Sequence, residues 1–300
     1  MRLGFIGVGN MGGPMAGHVI GAGHDVGVHD LRPELVDPLV ESGGRRATTV
    51  AEAADGAEAV LLSLPAPADV EQVVAAAGGL FDLLDRGSTI LDLTTSSPTV
   101  SRRLAARGAE RGISFLDAPV SGGVRGARKG TLAVMVGGPE DVFATYQPVL
   151  DTFAAKVVRC GDVGAGNVVK LVNNMLAFIS MMGITEGLLL GVKAGVEPAV
   201  LQEVIEASSG ASFAWPGSTR AILRDRLAPT FTTTLASKDI GLAVSLAEEL
   251  GVPVPMGSHT RDLIDGYRDS GFAAEDLLAT VKALEEAAGF QIRGLAADPD

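Results

Sequence analysis

Lys170 and Asn174 stand four residues apart in an otherwise apolar stretch, GAGNVVKLVNNMLAFISMMGITEGLLLGVKAG, from Gly164 to Gly195. On a helix that spacing brings both side chains out on the same face. An amine held between dry walls has a lowered pKa and can give and take a proton near neutrality. Two readings of Lys170 stay open from this stretch alone. It lines a cleft at a domain junction, or it snorkels along its own stem from a core helix to water. A membrane-crossing reading fails, because Asn173, Asn174 and Glu186 break the apolar run below about 18 consecutive apolar residues.

A second chemical signal lies at the start of the chain. Leu3, Phe5 and Ile6 read as a short buried strand that runs into Gly7-Val8-Gly9-Asn10-Met11-Gly12 and then a helix from about Gly13 to Ala22. Strand and helix on either side give these glycines a physical meaning. Gly7 makes the tight turn, Gly9 lets a pyrophosphate approach, and Gly12 lets the helix pack on the strand. Helix N–H groups then meet the phosphates. Asp30 closes the second strand roughly 20 residues after the loop, where an acid accepts the ribose hydroxyls of NAD and repels the 2′-phosphate of NADP. Arg32 lies close enough to greet that phosphate instead, so NAD is the better match and NADP the lesser one. Further on, Ser121-Gly122-Gly123 can offer consecutive N–H groups and a hydroxyl to a carboxylate, or be an ordinary flexible turn.

These groups need elements to carry them. From Val26 to Arg159 the chain alternates strands and helices: strands at Val26–His29, Ala59–Leu64, Thr89–Leu93, Ile113–Leu116, Thr131–Val136 and Lys156–Arg159, with helices between them. Ser63-Leu64-Pro65 and Thr94-Thr95-Ser96 fall at carboxyl ends of strands, the ligand edge of an open parallel sheet. Thr95 and Ser96 also suit helix caps ahead of Pro98, Ser96 especially. Beyond Gly195 every segment reads helical: Pro198–Ser208, Ser218–Asp225, Leu235–Leu250, Ser258–Ser270 and Glu275–Ala288, with Phe213 and Trp215 in a loop. The expected fold is α/β: an N-terminal Rossmann doubly wound sheet (1–162), a long inter-domain helix (163–195), an all-α C-terminal domain (196–293) and a flexible tail (294–300), frayed from Ala297 to Asp300.

Composition narrows the function. Three hundred residues, 47% hydrophobic and 20% charged, suit two folded domains. A net charge of −12 argues against nucleic acid or an anionic membrane as partner. The single cysteine, Cys160, allows no internal disulfide and suggests no zinc site. With no signal-peptide pattern at the N-terminus, a cytoplasmic protein is expected.

With these motifs in view, the chain resembles the β-hydroxyacid dehydrogenase family, to which 3-hydroxyisobutyrate dehydrogenases and tartronate semialdehyde reductases belong. The resemblance rests on four motifs in order: GFIGVGNMGGPMA at 4–16, DAPVSGG at 117–123, GAGNVVKLVNN at 164–174 and KDIGLA at 238–243. It implies an NAD(P)-dependent oxidoreductase acting on a short 3-hydroxy carboxylic acid of the 3-hydroxyisobutyrate type. Lys170 would be the general acid/base, Ser121, Gly122 and Gly123 would hold the substrate carboxylate, Asn174 would orient the substrate, and Lys238 would close over cofactor and pocket. Gly7, Gly9, Asn10, Met11, Gly12, Asp30, Leu64, Pro65 and Thr95 would contact the cofactor, with Asp69 a weaker member. Thr94 stands where serine is commoner. The resemblance and the apolar helix together imply a homodimer or homotetramer joined through the helical domain.

Rivals remain. Imine reductases share the architecture and usually lack the lysine at this position, and a non-catalytic dinucleotide-binding protein would tend to lose it too. A lactate-type enzyme needs a catalytic histidine, whereas His18, His24 and His29 fall in the cofactor half and His259 stands alone. Val120, Phe213 and Trp215 are the candidate walls that discriminate between acids.

Overall fold

A computed structural model describes residues 1–296; Ala297 to Asp300, expected to fray, lie outside the described residues. The chain divides into two compact units, Met1–Leu171 and Val172–Asp300.

The first unit is built on a nine-stranded sheet. Its strands are β1 (Arg2–Ile6), β2 (Asp25–His29), β3 (Arg45–Arg46), β4 (Ala59–Leu62), β5 (Thr89–Asp92), β6 (Ser114–Asp117), β7 (Val120–Ser121), β8 (Leu132–Gly137) and β9 (Ala154–Gly161). They lie in the order β3-β2-β1-β4-β5-β6-β8-β7, with β9 also on β8. The six from β3 to β6 are parallel, and the order reverses at β1 and β4 as in a Rossmann sheet. β8 then runs antiparallel to β6 and β7, and β9 returns parallel to β8.

Both faces of this sheet are covered at its centre, which is why a central strand such as β4, AVLL, is buried throughout rather than alternating. Along β4, Ala59 and Leu61 join one core with Met15, Val19 and Val149, while Val60 and Leu62 join the other with Val70, Val74 and Leu104. The covering helices are α1 (Gly12–Gly21), α2 (Asp37–Glu41), α3 (Val50–Ala54), α4 (Pro67–Ala75), α5 (Leu80–Leu83), α6 (Pro98–Ala109), α7 (Gly123–Lys129) and α8 (Glu140–Leu150).

α9 (Ala165–Lys193) is a single helix in which the unit boundary falls, between Leu171 and Val172. Its length and composition alone would let it cross a bilayer. Its Phe178, Met182, Leu188, Leu189 and Val192 instead enter the two apolar cores of the second unit. That unit continues with α10 (Pro198–Glu206), α11 (Trp215–Leu223), α12 (Thr233–Leu250), α13 (Pro255–Tyr267) and α14 (Val281–Ala288). No strand occurs in it among the described residues.

Three expectations shift. Trp215 is not in a loop: it opens α11, is buried, and donates its indole N–H to Gln202 O at 3.3 Å. The helix expected over Glu275–Ala288 is a 3-10 turn, Leu277–Thr280, followed by α14, because Asp276 caps the turn by accepting the Leu278 N–H. In the expected tail, Ala296 donates its amide to Leu223 O at 3.1 Å.

Candidate active site

The glycine loop is shaped as its spacing demands. Gly7 has φ +87, and a Cβ there would overlap Ser63 O. Gly12 is packed so tightly against the preceding turn that a Cβ would overlap Gly7 O. Gly9 differs from both: an added Cβ would meet only a guanidinium nitrogen of Arg32, at 3.4 Å. The first and third glycines are therefore needed by the fold, and the second leaves bare backbone where a pyrophosphate would lie, so these residues fit a dinucleotide. Asn10 is exposed beside it, and Met11 precedes α1 while packing its side chain on the core.

Asp30 ties the loop down. Its carboxylate accepts the Val8 N–H at 2.9 Å and the Arg32 N–H at 3.0 Å, and Arg32 Nε lies 3.6 Å away. The acid thus sits at the end of β2 as expected, with a guanidinium beside it.

At the next strand ends, Thr94 Oγ1 accepts the Leu64 N–H at 3.0 Å, joining the turns after β4 and β5. Pro65 is exposed and Thr95 half-buried. Asp69 accepts the Ala66 N–H at 3.0 Å and so caps α4. The cap of α6 is Ser97, whose Oγ accepts the Thr99 N–H, and not Ser96 as the sequence suggested. Ser96 is fully buried and donates its backbone N–H to Asn167 Oδ1 at 2.8 Å.

Ser121 ends β7, opposite Ala133 of β8. Gly122 and Gly123 follow at φ +128 and +62, a reversal that favours glycine, and α7 starts at once. The turn is therefore ordered, and exposed at both glycines.

Four residues before Ser121, Asp117 is fully buried at the end of β6. Its carboxylate accepts the N–H of Gly164 at 2.6 Å and of Asn167 at 2.7 Å, at the start of α9. Asn167 Nδ2 in turn donates to Ser101 Oγ at 3.2 Å. Burial pushes the Asp117 carboxyl up to about 7, against the pull of these amides and of Arg102. Three residues beyond Asn167 comes Lys170, 8% exposed.

In the second unit, Asn174 is buried, donates through Nδ2 to Asp239 Oδ2 at 2.7 Å, and accepts from Asn173 Nδ2 at 3.1 Å. Lys238 Nζ forms an ion pair with the other oxygen of Asp239 at 3.0 Å. Phe213 is fully exposed, and Val120 is buried in the sheet core of the first unit.

Asp117, Asn167 and Asp239 escaped the sequence reading. Asp239 left a signal: it falls among Ala236, Ile240 and Ala243 on the buried stripe of α12, where an acid needs a partner.

The chain matches two family models, described as the NAD binding domain of 6-phosphogluconate dehydrogenase over residues 2–161 and as the NAD-binding of NADP-dependent 3-hydroxyisobutyrate dehydrogenase over residues 164–284. It is 42% identical to a 3-hydroxyisobutyrate dehydrogenase of Pseudomonas aeruginosa, over 92% of this chain and 95% of that one. It is 37% identical to a 2-(hydroxymethyl)glutarate dehydrogenase of Eubacterium barkeri, over 98% of each. A solved structure of a Mycobacterium tuberculosis 3-hydroxyisobutyrate dehydrogenase with L-serine superposes with a TM-score of 0.85 at 31% identity, over 94% of this chain and 98% of that one.

Proposed function

Because the chain belongs to the β-hydroxyacid dehydrogenase family and is an NAD(P)-dependent oxidoreductase, we propose that its substrate is a short 3-hydroxy carboxylic acid of the 3-hydroxyisobutyrate type. The reaction is reversible oxidation to the semialdehyde or keto form. The observation that carries this reading is a buried lysine, Lys170, four residues before a buried asparagine, Asn174, on α9.

Bound NAD supplies the hydride acceptor. Lys170 takes the hydroxyl proton as the carbon is oxidised and returns it in reduction. Its ammonium form also neutralises charge growing on the reacting oxygen. Ser121, Gly122 and Gly123 hold the carboxylate, Asn174 orients the substrate, and Lys238 closes over cofactor and acid. Gly7, Gly9, Asn10, Met11, Gly12, Leu64, Pro65 and Thr95 hold the cofactor. Asp30 at the end of β2 supports NAD over NADP.

An imine substrate or a purely dinucleotide-binding role fits less well, since neither calls for Lys170. The lone, half-buried Cys160 suits a reducing compartment, and a cytoplasmic location is part of this proposal. A homodimer or homotetramer through the helical unit is supported by exposed Leu176 and Leu190 on α9 and by Val200 and Val204 on α10. Light scattering after size exclusion should give two or four chains, and a clean monomer would refute that assembly.

The deciding experiment is NAD and NADP reduction with 3-hydroxyisobutyrate, L-serine, 2-(hydroxymethyl)glutarate, glycerate, 3-hydroxypropionate and 4-hydroxybutyrate. Lys170→Ala should lose on the order of 10²-fold or more in kcat while still binding NAD. Unchanged turnover in that variant would remove Lys170 from the mechanism.

A further inference from the structure

Asp239 is 2% exposed and meets two residues of the reading above, one through a hydrogen bond and one through an ion pair. Oδ2 receives the Asn174 amide at 2.7 Å, and Oδ1 faces the Lys238 ammonium at 3.0 Å. Resting on that reading, we propose that Asp239 is the positioning residue of the substrate site, acting through Asn174 by fixing which atom of its amide is the donor.

Donors and acceptors decide how the Asn174 amide is oriented. An ionised carboxylate only accepts, so the atom of Asn174 facing it must be the nitrogen. Asn173 Nδ2 donates to the other side of the amide at 3.1 Å, which only the oxygen can receive. The two contacts agree, and together they forbid a flip of the Asn174 amide. One N–H and one lone pair of Asn174 then remain for a substrate, each in a fixed direction. Without Asp239 the amide could turn over and offer the wrong atom.

The acid is itself held on a braced helix. Just before it on α12, Ser237 Oγ donates to Asp265 Oδ1 at 2.6 Å and receives Arg268 Nη1 at 2.6 Å. Arg268 Nη1 also donates to Asp265 at 3.1 Å. This clamp joins α12 to the end of α13, so the backbone carrying Lys238 and Asp239 has little freedom to follow a displaced side chain.

The test uses Asp239→Asn, which keeps shape and one acceptor oxygen but removes the charge and restores the freedom to flip. With the fastest acid of the panel and NAD, KM for the acid should rise about tenfold, kcat should change far less, and thermal stability should stay near that of the parent. A double-mutant cycle with Asn174→Ala separates positioning from general damage. If Asp239 acts through Asn174, adding Asp239→Asn to Asn174→Ala leaves KM where Asn174→Ala alone put it. An unchanged KM in Asp239→Asn, or effects that simply add in the double variant, would overturn the proposal. An unchanged KM in Asn174→Ala alone would instead strike the reading of Asn174 as a substrate residue.

Discussion

Asp117 in the sheet unit and Asp239 in the helical unit are both buried carboxylates, and the two are held in opposite ways. Asp117, in the sheet unit, is met by two backbone amides at the start of α9. Asp239, in the helical unit, is met by two side chains, Asn174 and Lys238. A carboxylate bound by main chain fixes where an element begins; one bound by side chains fixes where functional groups point. The first is therefore expected to matter through folding and the second through binding.

The largest effect should sharpen that contrast through pH. The Asp117 carboxyl is raised to about 7 by burial, so the folded state holds its proton where an unfolded chain has released it. Its contribution to stability is complete below the unfolded value near 4 and is lost as pH rises to about 7. Asp117→Asn has no such ionisation. Its stability relative to the parent should improve between pH 4 and 8 by on the order of 4 kcal/mol, read by denaturant unfolding across pH. A difference that stays flat with pH would mean that the proton is not on Asp117.

Asn167 offers an intermediate case, a side chain that binds both main chain and side chain in the sheet unit. Asn167→Ala leaves the buried Ser96 N–H without its acceptor and Ser101 Oγ without its donor. A loss of about 2 kcal/mol in unfolding free energy is expected. The smallest stability change should be that of Asp239→Asn, below about 1 kcal/mol, since an acceptor remains and Lys238 keeps some access to water. If Asp239→Asn instead destabilised as much as Asn167→Ala, the division between folding and binding roles would fail.

The sequence disclosed the sheet, the glycine loop and the long helix because each has a period or a spacing of its own. Strand runs such as AVLL at Ala59–Leu62 can be buried on both faces, and GxGxxG between strand and helix has few other uses. α7 went unseen because GVRGARK, from Gly123 to Lys129, has charges and glycines where an apolar stripe would announce a helix. Trp215 reads as a loop residue in the sequence, yet Pro216 beside it suits a helix's first turn, where the structure has it. The candidate site residues follow from motif resemblance. What holds them does not, since the partners of Asp117 lie 47 and 50 residues away and Asp239 meets Asn174 across 65. No local pattern encodes such pairings.

The crowding around Asp117 has a practical side for anyone altering this enzyme. A Cβ on Gly137 would collide with its carboxylate, and one on Gly166 would collide with the carbonyls of Met135 and Asp117. Substitutions at these two glycines would abolish activity in a library screen without touching the acid or the dinucleotide, and would be scored as active-site hits. Diversity aimed at a new substrate is better spent on positions whose side chains have room to vary.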